Sequence, residues 1–324
     1  MTDLSTTTDR PLLIGVSARA LFDMDTETKI INANGGGLTE YRAYQKAHRD
    51  DTLKPGTAYG FVKRMLALNA LDNNQPPLVE FAIVSHMDPD TSVRVMKSLE
   101  PLKLYPGVGM GAFTSGASLT PYLKEYGIRL YLSKEENSVR EAVDAGLPAG
   151  CIMTDSPIID DTDSNADNGE IRIAFDFDGI LASDDSEKLF QSGGLEAFNQ
   201  NELDNADVPM QPGPLVPFLR SLSVIQHAED AYKHEHPEYH KRLRIAIITA
   251  RNAVAGVRVM STLDAWNITV DEALYMNGHN KNAALAAFKP HMFFDDSPKH
   301  INRAKDSFTS VHVPFGIANN KQRA

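Results

Sequence analysis

The chain repeats itself. VRVM occurs at 93–96, inside DTSVRVMKSLEP (90–101), and again at 257–260, inside VAGVRVMSTLDA (254–265). The apolar runs just upstream also match, FAIVS (81–85) over IAIIT (245–249), as do PGTAYGFVKRML (55–66) and PGPLVPFLRSLS (212–223). Several matches held at one offset of roughly 160 residues are the mark of a repeated structural unit. Within each copy, short β-prone runs alternate with helical patterns, which calls for a mostly parallel sheet covered by helices. The expected architecture is two related α/β domains, 1–160 and 171–324, joined by an acidic linker at 161–170 and derived from one ancestral unit. Two unrelated domains sharing only strand–helix periodicity are the alternative.

What the copies do not share is more informative. IRIAFDFDGILASDDSE (171–187) runs from a β-prone stretch into Asp176 and Asp178. Period two places both carboxylates on one side of the extended chain, and Gly179 lets the backbone turn away. The aligned positions in the first copy are Ser17 and Arg19. Likewise Thr249 aligns with Ser85, Lys281 with Leu119, and Asp295-Asp296 with Ser133-Lys134. In an open α/β sheet, ligands bind at the carboxyl ends of strands. Like charges gathered there require a cation or a shared proton.

Charge and composition narrow the partners. A formal net charge of −11 over 324 residues argues against a polymeric nucleic acid or an anionic membrane as ligand, but permits a small phosphorylated one beside a metal. The MTDLSTTTDR start lacks an apolar signal core and no apolar run reaches membrane-span length, so a cytoplasmic location is expected. The single cysteine, Cys151, fits a reducing compartment and reads as a small buried hydrophobe.

Other features carry less. Asn34 to Gly37 reads as a turn and Pro106 to Gly116 as a glycine-rich loop, neither with phosphate-loop chemistry. The acidic linker has a D-x-D-x-N-x-D spacing, yet Ala166 and Arg172 stand where a calcium loop needs glycine and glutamate. His236 and His240 lie four apart, but Pro237 between them speaks for a solvated surface. The 183–242 segment is too long for a simple crossover and is expected to form a helical cap. From it, Phe190 and Phe198 are candidates to stack a base, with core packing as the alternative.

Taken in order, D-x-D, a threonine after a strand, a lysine and paired acids after a strand resemble the haloacid dehalogenase (HAD) superfamily of phosphohydrolases. FDFDGILASDDSE, GGLEAF (193–198), IITAR (247–251) and PHMFFDDSP (290–298) are similar to the cytosolic 5′-nucleotidase I family, as are VSARALFDM (16–24) and YLKEYGIRLYLSKE (122–135) in the first copy. The resemblance implies a HAD-like Rossmannoid three-layer sandwich with a helical cap, preceded by a degenerate HAD-like domain. It implies Mg²⁺-dependent hydrolysis of nucleoside 5′-monophosphates, AMP favoured, by a homo-oligomer. Phosphatase action on another small phosphomonoester, or nucleotide sensing without catalysis, are the alternatives. Asp176 is the expected nucleophile and Asp178 the general acid and base. Phe177, Thr249, Ala250, Arg251 and Lys281 are expected around the phosphate. Asp176, the Asp178 carbonyl and Asp296 are expected on the metal, with Asp295 behind them.

Overall fold

A computed structural model describes residues 11–33, 37–71, 76–154, 156–158, 169–317 and 319. The polar start, most of the Asn34–Gly37 turn and nearly all of the acidic linker, with its calcium-like spacing, lie outside the described residues.

Ten strands form one sheet: β1 (Leu12–Val16), β2 (Val79–Ser85), β3 (Val108–Phe113), β4 (Leu130–Ser133), β5 (Ala149–Ile152), β6 (Ile171–Phe175), β7 (Leu243–Thr249), β8 (Glu272–Tyr275), β9 (Met292–Asp295) and β10 (Ser310–His312). Their order is β8-β7-β6-β9-β10-β5-β4-β1-β2-β3. Every pairing is parallel except β5 with β10, where Ile152 and Cys151 face Val311 and His312. The protein is thus an α/β fold on a large, mostly parallel sheet.

In each region the first strand is central, the second and third lie to one side, and the fourth and fifth to the other. The antiparallel seam reverses chain polarity, so the carboxyl ends of β1–β5 and of β6–β10 open on opposite edges of the sheet. One face is covered by a single apolar cluster drawing on both regions, from Phe61, Phe81 and Leu132 to Phe175, Phe218 and Phe294. The other face carries two separate clusters, one around Tyr131 and Val139 and one around Phe288 and Phe293. The regions therefore share a sheet and half of their core.

Five helices frame the functional edges: α1 (Glu136–Asp144), α2 (Asp185–Asp204), α3 (Val216–Glu235), α4 (Asn282–Phe288) and α5 (Pro298–Ala304). Helix α3 buries Phe218 against Phe175 and Phe294, with ring centroids 6.1 and 6.2 Å away. It is the crossover between β6 and β7 and packs on the sheet, which corrects the expectation that 183–242 forms a cap throughout. The earlier part, α2 and the irregular segment to Met210, reaches the Arg251 side chain just beyond β7, through Ser186, Glu202 and Met210.

The segment expected as a glycine-rich loop at 106–116 contains β3. Glycines weaken a strand's own propensity, but β2 supplies a ladder, and an edge strand needs only one. No helix among the described residues is long and apolar enough to cross a membrane. Cys151 is a free thiol, buried in the seam, and burial first of all pushes its pKa up to about 12.

Candidate active site

Each polar residue expected at a strand end stands there. Asp176 directly follows β6 and donates its backbone N–H to the Phe294 carbonyl at 2.8 Å. Thr249 ends β7, and Asp295 ends β9 with Asp296 after it. Lys281 is placed by a turn whose Asn277 and Gly278 both have positive φ (48° and 76°), a conformation that favours these two residue types. That turn is bonded back to the end of β7, Asn277 N–H to Arg251 O at 3.0 Å and Gly278 N–H to Ala250 O at 2.7 Å. It brings Lys281 in as the cap of α4.

Lys281 is almost wholly buried, and its Nζ lies 2.7 Å from Asp176 Oδ2 and 2.7 Å from Asp295 Oδ2. Burial alone would strip the ammonium of its proton, but the two carboxylates outweigh it and its pKa rises. Asp295 is the most heavily bonded of the four aspartates. Besides Lys281, it accepts from the Ser297 amide at 2.8 Å and faces His300 Nδ1 at 3.1 Å. Burial pushes its carboxyl up, yet Lys281 and His300 reverse that and hold it below the usual carboxylate range.

Asp176 and Asp296 are short of positive charge. Burial pushes Asp176 up to about 6, opposed by Lys281 and reinforced by Asp295 and Asp178. Asp296 is raised well above the ordinary value by burial, then by Asp295 and Asp176, and no hydrogen bond to its carboxylate arises among the described residues. Gly179 makes room for it: with φ of 74°, a Cβ there would stand 2.5 Å from Asp296 Oδ2. A buried carboxylate without a donor, beside a second whose charge is under-compensated, is a site that fits a cation. Asp176, Asp295 and His300 offer ligand atoms within 4.8 Å of one another and could hold a metal ion.

Asp178 is held differently. Arg251 donates to both of its oxygens, Nε to Oδ2 and Nη2 to Oδ1, each at 2.8 Å. The same guanidinium reaches Glu202 on α2, the Ser186 hydroxyl at 2.9 Å and Met210 Sδ at 3.4 Å. It lies between the rings of Phe177 and Phe198, 5.3 and 5.2 Å from their centroids. Burial disfavours the charge of Arg251, but Asp178 and Glu202 more than restore it. Its side chain is thus committed to protein groups, and its amide donates to Thr249 Oγ1 at 3.2 Å. Phe177 is buried and its amide donates to Asp176 Oδ1 at 2.7 Å. Ala250 contributes the carbonyl that holds Gly278. Phe190 is exposed, and His236 stacks on Tyr232 at 4.0 Å between centroids.

Two residues of the site escaped the sequence reading. Glu202 is fully buried between Arg251 and Arg258. Its signal was present, since Phe198 and Glu202 are four apart and share a helix face. His300 sits two residues into α5, and nothing in the sequence tied it to Asp295.

A 5′-nucleotidase family model matches residues 4–320. The chain belongs to the 5′-nucleotidase family. It is 30% identical over 299 residues to human cytosolic 5′-nucleotidase 1B, a match covering 91% of this chain and 47% of that protein. The chain spans about half the length of that curated relative. No solved structure matches the chain.

Proposed function

We propose that this family member is a Mg²⁺-dependent 5′-nucleotidase that releases phosphate from nucleoside 5′-monophosphates, with AMP as the favoured substrate. The observation that carries the reading is the gathering of four aspartates at adjoining strand ends, with Asp176 and Asp295 on the buried Lys281 ammonium, Asp178 on Arg251, and Asp296 beside them.

Asp176 would attack phosphorus, forming an aspartyl-phosphate and expelling the nucleoside 5′ oxygen. Asp178 would give that oxygen its proton and then take one from the water that cleaves the acyl-phosphate. Its two bonds to Arg251 fix the direction the carboxylate faces. Lys281 and Thr249 would bind phosphate oxygens, Lys281 also keeping the nucleophile oriented. Asp176, the Asp178 carbonyl and Asp296 would hold the ion, because a hard cation prefers oxygen to the imidazole of His300. Asp295, already bonded to Lys281, His300 and the Ser297 amide, would position the others. When bound, Mg²⁺ supplies the charge that offsets the phosphate dianion. The turn and helix at 183–210 would act as the cap, and the first region would be catalytically silent.

The test is phosphate release by purified protein with Mg²⁺ from a panel of nucleoside monophosphates and sugar phosphates. Release from nucleoside monophosphates is expected, fastest from AMP. Faster release from sugar phosphates would replace this reading with a broader phosphatase.

A further inference from the structure

The first region builds the same strand-end scaffold with the charges reversed. Val16 pairs with Leu132 as Phe175 pairs with Phe294. Ser17 N–H donates to Leu132 O at 2.9 Å, as Asp176 N–H does to Phe294 O. The turn is repeated as well: Ser115 and Gly116 have φ of 51° and 85°, and bond to Met87 O and His86 O at 3.1 and 2.9 Å. The register thus places Ser133 and Lys134 where the second region has Asp295 and Asp296, and Arg19 two residues after Ser17 as Asp178 is after Asp176.

Beside these strand ends lies an open cleft of about 430 Å³ lined by Arg19, His86, Lys134, Glu135, Glu136, Asn137 and Ser138. Lys134 is half-buried, and among the described residues it has no ion-pair partner. Burial, the largest influence, lowers its pKa, against the opposing pull of the Asp25 and Asp23 carboxylates. The two acids in the lining are engaged: Glu135 lies 3.7 Å from Arg19 and accepts from Ser138 Oγ at 3.3 Å, and Glu136 pairs with Arg140. His86 is held at both nitrogens, by the Ala117 carbonyl and Ser138 Oγ.

We infer that this cleft is a second, metal-independent binding site for a small phosphate-bearing anion, gripped by Arg19 and Lys134. In the second region, four carboxylates require a cation before a phosphate can approach. Here the side chains supply the positive charge themselves, through charge-assisted hydrogen bonds. The volume accommodates an anion up to the size of a nucleoside monophosphate. Because the two strand-end faces lie on opposite edges of the sheet, both sites can be filled at once. The inference does not rest on the proposed hydrolysis.

The experiment is calorimetric titration of the full chain in excess EDTA with inorganic phosphate, AMP and adenosine. Phosphate, AMP or both should bind at one site per chain, and adenosine should not. Tighter binding of AMP than of phosphate would identify a nucleotide as the ligand, and equal binding would identify the free anion. The double variant Arg19→Ala/Lys134→Ala should weaken binding by about tenfold or more while keeping its circular dichroism and unfolding temperature. Lys134→Arg should retain most of it, which guards against a folding defect in the double variant. Lys281→Ala should leave this metal-free binding unchanged. Absence of binding in EDTA, its survival in the double variant, or its loss in Lys281→Ala that keeps the circular dichroism of the folded chain would each overturn the inference.

Discussion

The two regions are built on the same strand order, the same strand-end hydrogen bonds and the same left-handed turn, yet their strand ends carry opposite charge. The second region gathers four carboxylates, two of them on Lys281 and one on Arg251. The first holds Ser17, Arg19, Ser133 and Lys134 at the matching places. The lesson is that the backbone of such a fold presents a set of strand ends, and the few residues just beyond them decide the chemistry. Packing barely notices the exchange, because those residues lie outside the apolar clusters.

The largest test of this division replaces the first residue after each central strand. Asp176→Asn should reduce phosphate release by about three orders of magnitude or more while the fold survives, and Ser17→Ala should leave it unchanged. Loss of activity from Ser17→Ala with retained activity in Asp176→Asn would reverse the roles of the regions.

Next comes the residue after the turn. Lys281→Met removes the one ammonium among the buried acids and should cost about 3 kcal/mol or more of metal-free stability. Leu119→Met, at the matching position, only exchanges one apolar side chain for another and should cost less than about 1.5 kcal/mol. Urea unfolding of both variants in EDTA measures the difference.

A metal titration sharpens the contrast further. Mg²⁺ at about a hundred times its dissociation constant should stabilise the chain by about 2.7 kcal/mol. Asp296→Asn should remove most of that gain, whereas Lys134→Met should preserve it. An undiminished gain in Asp296→Asn would assign the ion to the Asp176, Asp295 and His300 group instead.

The smallest effect concerns the seam between the regions. With its pKa near 12, Cys151 would be thiolate in only about one molecule in ten thousand at pH 8. Alkylation by iodoacetamide at that pH should therefore be negligible in the folded chain and should rise with denaturant. Rapid labelling without denaturant would show that β5 and β10 part readily.

The strands that lead to the site were legible because each is a mainly apolar run with a polar residue at or just after its end, as in LRIAIIT, IRIAF before Asp176, and MFFD. Three strands were not. VGMGAF is interrupted by two glycines, AGCI is four residues long, and EALY is half-buried throughout with no alternation. All three lie at an outer edge or at the seam, where neighbouring strands impose a conformation their own residues barely prefer. The site divides the same way. Asp176, Thr249, Lys281 and Asp295 are fixed by their place on the sheet, which sequence order conveys. Glu202 and His300 arrive on helices from elsewhere, and only the packing of those helices brings them to Arg251 and Asp295.

The reversed polarity at β5 and β10 also limits what any neighbour can do to this molecule. A protein or surface lying against one edge of the sheet would screen one mouth and leave the other in free exchange with solvent. Occlusion from outside could therefore act on the acidic site or on the basic one, but no single flat contact could close both.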